Sequence, residues 1–444
     1  MMRKKAGTGM LHWIFPAMIF LAALEMFLSG RDLSQQYLQL LQTGESTRHP
    51  LMTIAQRSVS VLLLVASVEQ IANHFALRRP TPSATLLIAF VLYWVCTVAS
   101  PALFGANPLI GHEYMYSLFV GVAACLVGPA EWQRILRSAR DALFLLMLAG
   151  VLVAPFKPGL VMDVYYSQGL IPGLPRFGGL TAHPVTQGML AQVALLVLWC
   201  MPYQRRWLQR AAWVLGLAVL YLAQSKTAWA SFIACALLLL AVRGGPRLWR
   251  RMSDPRQGGF GVLVLLGLVV GVAGLATWVL VGDAFGRASE LADTREAAQL
   301  MSLTGRDRIW VIAVEEWQRN PVFGYGLTLF DSAYRAAINL PHATHAHNQF
   351  LDDLARSGAI GASALVIYAA VLFGLALRGA RASGGLSLAL FLAVALRSVS
   401  EVPLSLKGYG TELVTHLLLI TTLAAASAQR RTEPRPQAMR YGVA

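Results

Sequence analysis

The sequence predicts an all-α, polytopic integral membrane protein with about twelve transmembrane helices. Its 444 residues are 56% hydrophobic and only 13% charged, whereas soluble domains carry roughly a quarter charged residues. Apolar runs close to the length that crosses a bilayer, about 20 residues, recur along the chain. The composition and the repeated runs together indicate a bundle of membrane-spanning helices.

The first apolar run follows Arg3, Lys4 and Lys5, where a signal peptide would lie. It is long for the apolar part of a signal peptide, contains Glu25 and ends without a small-x-small cleavage site, so we predict a retained first span. The twelve predicted spans are Met10–Ser29, Ile54–Asn73, Ser83–Ala99, Met115–Gly128, Asp141–Phe156, Val185–Met201, Ala211–Ala223, Thr227–Val242, Gly259–Val281, Gly358–Leu377, Ser387–Val402 and Glu412–Ala426.

The arginine-rich short loops fall on the side of the basic N-terminus, which predicts that both termini are cytoplasmic and that the longer loops face outward. The formal net charge of +15 is then a topology signal, and anionic membrane lipids are its partners, so nucleic-acid binding is not predicted. Residues 1–281 hold spans one to nine, residues 282–357 form a large outer loop that carries the catalytic motif, and residues 358–444 hold the last three spans and a cytoplasmic tail. No nucleotide-binding glycine loop is found, which argues against an ATP-driven pump.

Two outer segments carry the candidate chemistry. Residues 157–184 are rich in Gly and Pro, which predicts a structured loop. In the large loop, Trp310, Ala313, Val314 and Trp317 share one helical face, which predicts an amphipathic helix along the bilayer surface.

Four cations flank these outer segments: Arg176, Lys226, Arg306 and Arg308. A charge at such a place is costly unless it is paired or faces a polar cavity. One interpretation is that each is a helix-end charge reaching the lipid surface. The other is that the four together bind an anionic substrate, because arginine and lysine are the usual partners of phosphate oxygens.

Three of the nine histidines lie within six positions, at His342, His345 and His347. Histidine can take or give a proton near neutral pH, so this segment is the predicted catalytic site. A zinc site with Asp352 or Asp353 is the competing interpretation. We predict no metal, because i to i+2 spacing on a helix points side chains apart and the positive neighbours would repel a cation.

The motifs from Arg306 onward resemble a known family. Asn320-Pro321, Gly324-x-Gly326 and then His347-Asn348, nine residues and Gly358-x-x-Gly361 look like the signature of the O-antigen ligase and polymerase superfamily. Ser225-Lys226-Thr227 also resembles a family motif in which arginine is commoner. The resemblance implies a GT-C-like membrane glycosyltransferase whose active site faces the periplasm, in the inner membrane of a Gram-negative bacterium.

The implied reaction moves O-antigen from undecaprenyl pyrophosphate to a sugar hydroxyl of lipid A–core, with inversion and without cofactor or metal. In this reaction His347 would be the general base, and Arg176, Lys226, Arg306 and Arg308 would stabilise the pyrophosphate. Asn348, His345 and His183 are expected to orient the base or bind substrate. An O-antigen polymerase, a protein (pilin) O-glycosyltransferase and, from another class, a lipid or polysaccharide transporter are the alternatives.

Five charges inside or beside the spans are left out of the predicted site, because ion pairing within the bundle explains them equally well. They are Glu25, Arg57, Glu69, Arg397 and Glu401.

Overall fold

The computed structural model describes residues 9–35, 49–109, 111–165, 173–252, 306–341, 343–408 and 410–432. These residues form helices and one very short sheet, so the all-α prediction is confirmed. A 3₁₀ turn at Met10–Trp13 precedes the first helix and a π segment at Val95–Ala99 follows the third. The helices are α1 (Ile14–Leu28), α2 (Pro50–Ala76), α3 (Ala84–Trp94), α4 (Ser100–Phe104), α5 (Glu113–Cys125), α6 (Pro129–Val153), α7 (Pro158–Val161), α8 (Pro184–Cys200), α9 (Arg206–Leu222), α10 (Lys226–Met252), α11 (Arg306–Arg319), α12 (Ser332–Ala337), α13 (Gln349–Gly379), α14 (Leu386–Ser398) and α15 (Thr411–Thr432).

Eleven of the twelve predicted spans overlap one of these helices, and the remaining one, Gly259–Val281, lies outside the described residues. Six helical segments in the described part are long and apolar enough to cross a membrane: Met10–Leu28, Pro50–Ala76, Ala84–Phe104, Lys226–Gly244, Gln349–Gly379 and Thr411–Arg431. Glu113–Cys125, Pro184–Cys200 and Leu386–Ser398 are apolar but shorter. The chain is therefore an integral membrane protein, and the total of twelve spans stays a prediction.

Helix α15 is the centre of the bundle. Its apolar window is 78% buried, and it packs against α5, α6, α13 and α14. Inside the bundle, the Tyr368 hydroxyl and His416 Nε2 lie 2.8 Å apart, and the Tyr93 ring stacks on that of Tyr368. Polar contacts of this kind join helices where lipid supplies no hydrophobic driving force. Arg397 pairs with Glu412 at the start of α15, in agreement with the ion-pairing interpretation of Arg397.

The described parts of the segment 157–184 are held by a small sheet and by one arginine. Strand β1 (Met162–Asp163) pairs antiparallel with β2 (Arg176–Phe177). The Arg31 guanidinium donates hydrogen bonds to the carbonyl oxygens of Leu160, Gly179, Thr181 and Ala182. Burial among these carbonyls lowers the pKa of Arg31 to about 10, so it remains charged at neutral pH.

Two predicted span boundaries differ from the structure. Helix α13 begins at Gln349, ahead of the predicted Gly358, because the Asn348 side chain accepts a hydrogen bond from Leu351 N–H and caps the helix there. Helix α14 ends at Ser398, ahead of the predicted Val402. Pro403 explains the second difference, since the residue before a proline avoids helical geometry and proline cannot continue the backbone hydrogen bonds. Glu401 therefore lies in a loop beyond the helix.

Candidate functional site

The histidine segment 343–348 is a loop clamped between two helices. The backbone N–H of Ala346 donates to Asp352 Oδ1 of α13 at 2.9 Å. On the other side, the Trp310 indole N–H of α11 donates to the Ala346 carbonyl at 2.8 Å. The backbone N–H and C=O of Ala346 are thus both hydrogen-bonded to side chains, one from each helix, and this fixes the loop between α11 and α13.

Arg356 of α13 also holds this loop in place. Its guanidinium pairs with Asp352 at 2.8 Å and donates to the carbonyl oxygens of Leu327, Leu329 and Thr344. Both charged side chains are almost fully buried. Removing one partner would leave an uncompensated buried charge, at a cost of about 3–5 kcal/mol, so this pair holds one arrangement of the loop.

A kink in α13 joins the helix to the preceding loop. Gly358 has φ 63° and ψ −163° inside the helix, so the backbone carbonyls of the turn before it are free for other partners. Tyr325 N–H donates to Ala355 O at 2.8 Å, and Gly326 N–H donates to Arg356 O at 3.0 Å. In return, Ala359 N–H donates to Pro321 O. The Gly324-x-Gly326 and Gly358 motifs are therefore two halves of one backbone contact.

Helix α11 confirms the predicted helix. Ile309, Ala313 and Glu316 are buried, whereas Trp310 is 40% exposed. The buried Glu316 carboxylate pairs with Arg319 and accepts a hydrogen bond from the Tyr334 hydroxyl. Helix α11 therefore packs against the protein through a face that includes Glu316, and its placement along the bilayer surface stays a prediction.

His345, His347 and Glu401 converge at this loop. Glu401 Oε2 lies 3.3 Å from His345 Nε2 and 3.5 Å from His347 Nδ1, and the two imidazole centroids are 4.2 Å apart. His347 adopts φ 50°, a left-handed conformation that costs a non-glycine residue roughly 1–3 kcal/mol and persists only where surrounding contacts hold it. We call these three residues the His–Glu cluster.

Hydrogen bonding sets the protonation of the cluster. The His347 backbone N–H donates to His345 Nδ1 at 3.1 Å, so neutral His345 carries its proton on Nε2, which faces Glu401. Burial, together with the charge of His347, lowers the pKa of His345 to about 4. Burial disfavours the charged form of Glu401, but its contacts with His347 and His345 and the charge of Arg397 outweigh that effect and lower its pKa to about 2. At neutral pH the cluster therefore contains neutral His345 and a carboxylate.

The helical spacing argument against a metal site is wrong, because these histidines lie in a loop. His345 and His347 are not on a helix, and their ring nitrogens and a Glu401 oxygen lie within 4.8 Å of one another, a donor set that could hold a metal ion. The hydrogen bond from His347 N–H opposes this use. A metal on His345 Nε2 would require a proton on Nδ1, which would then face another N–H donor.

The predicted cations are placed unequally around the cluster. Arg306 Nη2 lies 3.9 Å from Glu401 Oε1. Arg176 is buried and donates from Nε to the Ala223 carbonyl at 2.9 Å, which brings β2 to the turn before Lys226. Lys226 is exposed at the start of α10. Arg308 is exposed and donates to the Ile338 carbonyl at 3.4 Å, so the described contacts do not join it to the cluster.

His183 and Asn348 both have structural roles. His183 Nδ1 accepts a hydrogen bond from Val185 N–H and caps α8. Although its ring reaches solvent, the surrounding protein atoms and the charge of Arg176 lower the pKa of His183 to about 4, and the charges of Glu401 and His347 also reach it. Asn348 caps α13 and donates from Nδ2 to the Val399 carbonyl at 3.3 Å, which ties the histidine segment to the loop that carries Glu401. The position of His342 lies outside the described residues.

Sequence reasoning missed Glu401 as a site residue and did not identify Arg31. The apolar run predicts Glu401 at the end of a span, and Pro403 is the signal that places it beyond the helix. Arg31 follows the first span directly, and nothing in its local pattern indicates the distant carbonyls that it binds.

The bundle and the His–Glu cluster define an integral membrane protein with a candidate acid–base centre in the loops at the ends of its helices. Residues 211–366 match the family model described as O-antigen ligase (Wzy_C), so the chain contains a domain of that family. Members of this family are membrane glycosyltransferases, both ligases and polymerases. The matched range includes His345, His347, Arg306 and Lys226, but it ends before Glu401. No curated protein matches the chain.

Proposed function

We propose that the chain is an O-antigen ligase, which transfers O-antigen from undecaprenyl pyrophosphate to a sugar hydroxyl of lipid A–core. The observation that carries the proposal is the His–Glu cluster, whose two histidines lie in the range that matches the O-antigen ligase family model and whose glutamate follows that range. The site faces the periplasm of a Gram-negative inner membrane, both termini are cytoplasmic, and neither cofactor nor metal takes part.

His347 is the general base in this proposal. Its Nδ1 is buried and faces the Glu401 carboxylate, so Nε2 is the nitrogen left to meet a substrate. A carboxylate on the far nitrogen of a histidine orients the ring and stabilises the imidazolium that forms when the ring accepts a proton. General-base catalysis of this kind typically contributes roughly 10²–10⁴-fold to the rate.

The reaction is a single displacement. The acceptor hydroxyl gives its proton to His347 Nε2 while its oxygen bonds to the anomeric carbon of the donor. The bond from that carbon to the pyrophosphate oxygen breaks, its electron pair leaves with the carrier pyrophosphate, and the configuration inverts. Arg306, Arg176, Lys226 and Arg308 are the candidates that stabilise the leaving charge, and Arg306 is the one in contact with the cluster. His345, Asn348 and His183 position the base or the sugar.

The test is transfer by the purified protein. It is incubated with glycan-loaded undecaprenyl pyrophosphate and lipid A–core, in chelator and without nucleotide, and the products are separated on a gel. Larger lipid A–core that appears with wild type but not with His347→Ala supports the proposal. Longer carrier-linked chains with unchanged lipid A–core would instead assign a polymerase, and transfer to a pilin-type protein would assign a protein glycosyltransferase. Movement of lipid without any glycosidic bond would favour a transporter.

A further inference from the structure

Two neighbouring carboxyl groups of α13 bind different partners. Asp352 accepts a hydrogen bond from the backbone of the histidine segment, at Ala346. Asp353 is turned by roughly 100° around the helix axis and is also buried. It accepts hydrogen bonds from the Tyr93 hydroxyl at 2.9 Å and from Gln349 Nε2 at 3.1 Å. The proposed reaction gives Asp353 no part, so its burial and its two bonds call for another explanation.

Both partners of Asp353 also reach the backbone of Leu404. The N–H of Leu404 donates to Gln349 Oε1 at 2.8 Å, and the Tyr93 hydroxyl lies 3.3 Å from the Leu404 carbonyl oxygen. Asp353 sets the direction of the Gln349 amide, because Nε2 donates to its carboxyl group and Oε1 is then left to accept from the Leu404 N–H. All three side chains are buried, so water does not readily replace these bonds and the network determines where the Leu404 peptide lies.

Leu404 belongs to the loop that carries Glu401. It follows Glu401 by three residues, and Pro403 lies between them. The proline ring fixes one backbone angle of this stretch, and the side chains of Val402 and Leu404 are buried. The connection from Leu404 back to Glu401 is therefore short and stiff. The Glu401 carboxylate lies 3.5 Å from His347 Nδ1, so the network around Leu404 reaches the general base through Glu401.

We infer that Asp353 is a positioning residue: through its network with the Leu404 peptide, it holds the Glu401 carboxylate within reach of the general base. Its effect on the rate rests on the proposed function, in which His347 is that base. Asp352 fixes the histidine half of the His–Glu cluster and Asp353 the glutamate half, so one turn of α13 sets the distance between them. A misplacement of about 1 Å in such a site can cost roughly 10²-fold in rate, so a residue that acts only through Glu401 still affects turnover.

Two stacked tyrosines provide a matched pair of variants. The rings of Tyr93 and Tyr368 stack with their centroids 4.7 Å apart, and both side chains are 1% exposed. The Tyr93 hydroxyl belongs to the Asp353 network. The Tyr368 hydroxyl instead lies 2.8 Å from His416 Nε2. Tyr93→Phe and Tyr368→Phe each remove one hydrogen-bonded hydroxyl from the same buried stack, so their costs to packing are similar and only the first loosens Leu404.

Hydrogen exchange tests this hold on the loop without any substrate. Full-length wild type, Tyr93→Phe, Tyr368→Phe and Asp353→Ala are placed in lipid nanodiscs, and mass spectrometry follows amide exchange in peptides that cover residues 399–408. We expect exchange about fivefold faster in Tyr93→Phe, the change in local opening that loss of one hydrogen bond gives, and faster still in Asp353→Ala. Tyr368→Phe should match wild type. Equal exchange in the two phenylalanine variants would overturn the inference, and this comparison holds even where Asp353→Ala is too unstable to purify.

Kinetics test whether the hold acts through Glu401. We expect kcat for transfer to fall about tenfold in Tyr93→Phe, since one bond of the network is lost, with KM for the lipid-linked donor unchanged and wild-type kcat in Tyr368→Phe. In a Glu401→Gln background, Tyr93→Phe should cause no further loss, because the carboxylate that the network positions is already gone. Multiplied losses in the double variant, or equal kcat in the two phenylalanine variants, would overturn the positioning role. Absence of transfer by wild type would refute the proposed function, while hydrogen exchange alone would still support or overturn the hold on the Glu401 loop.

Discussion

His347 combines an unfavourable backbone conformation with a buried carboxylate partner, and both features fix the orientation of its ring. The left-handed φ at His347 turns the ring so that Nδ1 meets Glu401, while the preceding peptide is fixed by Asp352 and Trp310. Strain at a single residue persists only where surrounding contacts determine the conformation. Here the hydrogen bonds of the Ala346 N–H and C=O hold the backbone of His347 in this conformation.

Glu401→Gln should reduce kcat by about 10²-fold or more, because the amide keeps the shape but loses the charge that stabilises protonated His347. The KM for the lipid-linked donor should change little if Glu401 acts on His347 and not on substrate. Glu315→Gln is the matched control, since Glu315 is exposed on α11. Steady-state kinetics of the three proteins check this, and an unchanged kcat in Glu401→Gln would remove Glu401 from the mechanism.

The low pKa of His345 predicts acid sensitivity. Its pKa is about 4 in the folded protein against an ordinary value of 6.5, so between these values the unfolded chain binds a proton that the folded chain does not. The contribution of neutral His345 to the free energy of unfolding is therefore fully present above about pH 6.5 and is lost as the pH falls towards 4.

Thermal unfolding in detergent between pH 7 and pH 5 measures this effect, and we expect Tm to fall less steeply in His345→Asn than in the wild type. His112→Asn should leave the slope unchanged, because the His112 side chain is 89% exposed. Identical slopes in wild type and His345→Asn would contradict the prediction.

At the scale of elements, the kink in α13 is what allows one helix both to span the membrane and to support the site. The segment before Gly358 carries Asp352 and Arg356, which hold the histidine loop. The segment after Gly358 is the apolar part of the helix. The backbone bonds exchanged with Pro321, Tyr325 and Gly326 replace those that the kink interrupts, so the two segments keep a fixed relation.

Gly358→Ala should be destabilising, because its φ of 63° alone costs an L-residue about 1–3 kcal/mol and a Cβ would lie 2.3 Å from the Val322 carbonyl carbon and oxygen. Gly374 is the control on the same helix, since no atom of the described residues lies within 4 Å of its added Cβ. Gly374→Ala should be neutral or stabilising by up to about 1 kcal/mol. Thermal unfolding distinguishes the two, and equal Tm values would mean that the kink does not require glycine.

At the scale of the whole molecule, the two ends of α13 should lie on opposite sides of the membrane. Thr344 precedes the helix and Arg378 lies near its end, and both are exposed. The excess of basic residues at the Arg378 end predicts that this end is cytoplasmic.

Single cysteines at these two positions test the orientation, in a background without Cys96, Cys125, Cys200 and Cys235. In intact cells, an impermeant maleimide should label Thr344→Cys, and Arg378→Cys should react only after the cells are opened. The opposite pattern would place the site in the cytoplasm and exclude periplasmic ligation.

The sequence was informative wherever a signal is local. Apolar runs predicted the positions of helices such as α2, α8 and α13, and the His347-to-Gly361 motif predicted the domain that the family match covers. Contacts between distant segments had no such signal. Glu401 reaches His347 only because α13 and α14 fold back on each other, and Arg31 reaches the segment before His183 across the bundle. Side-chain packing, which no periodicity encodes, determines both.

The placement of Glu401 beyond α14 also has a consequence for biosynthesis. The ribosome makes His345 and His347 first, then the whole of α13 and α14, and only then Glu401. A nascent chain that has inserted every earlier helix still lacks the carboxylate partner of its histidine. The His–Glu cluster can therefore form only after the chain has passed the end of α14, and α15, the centre of the bundle, is made later still.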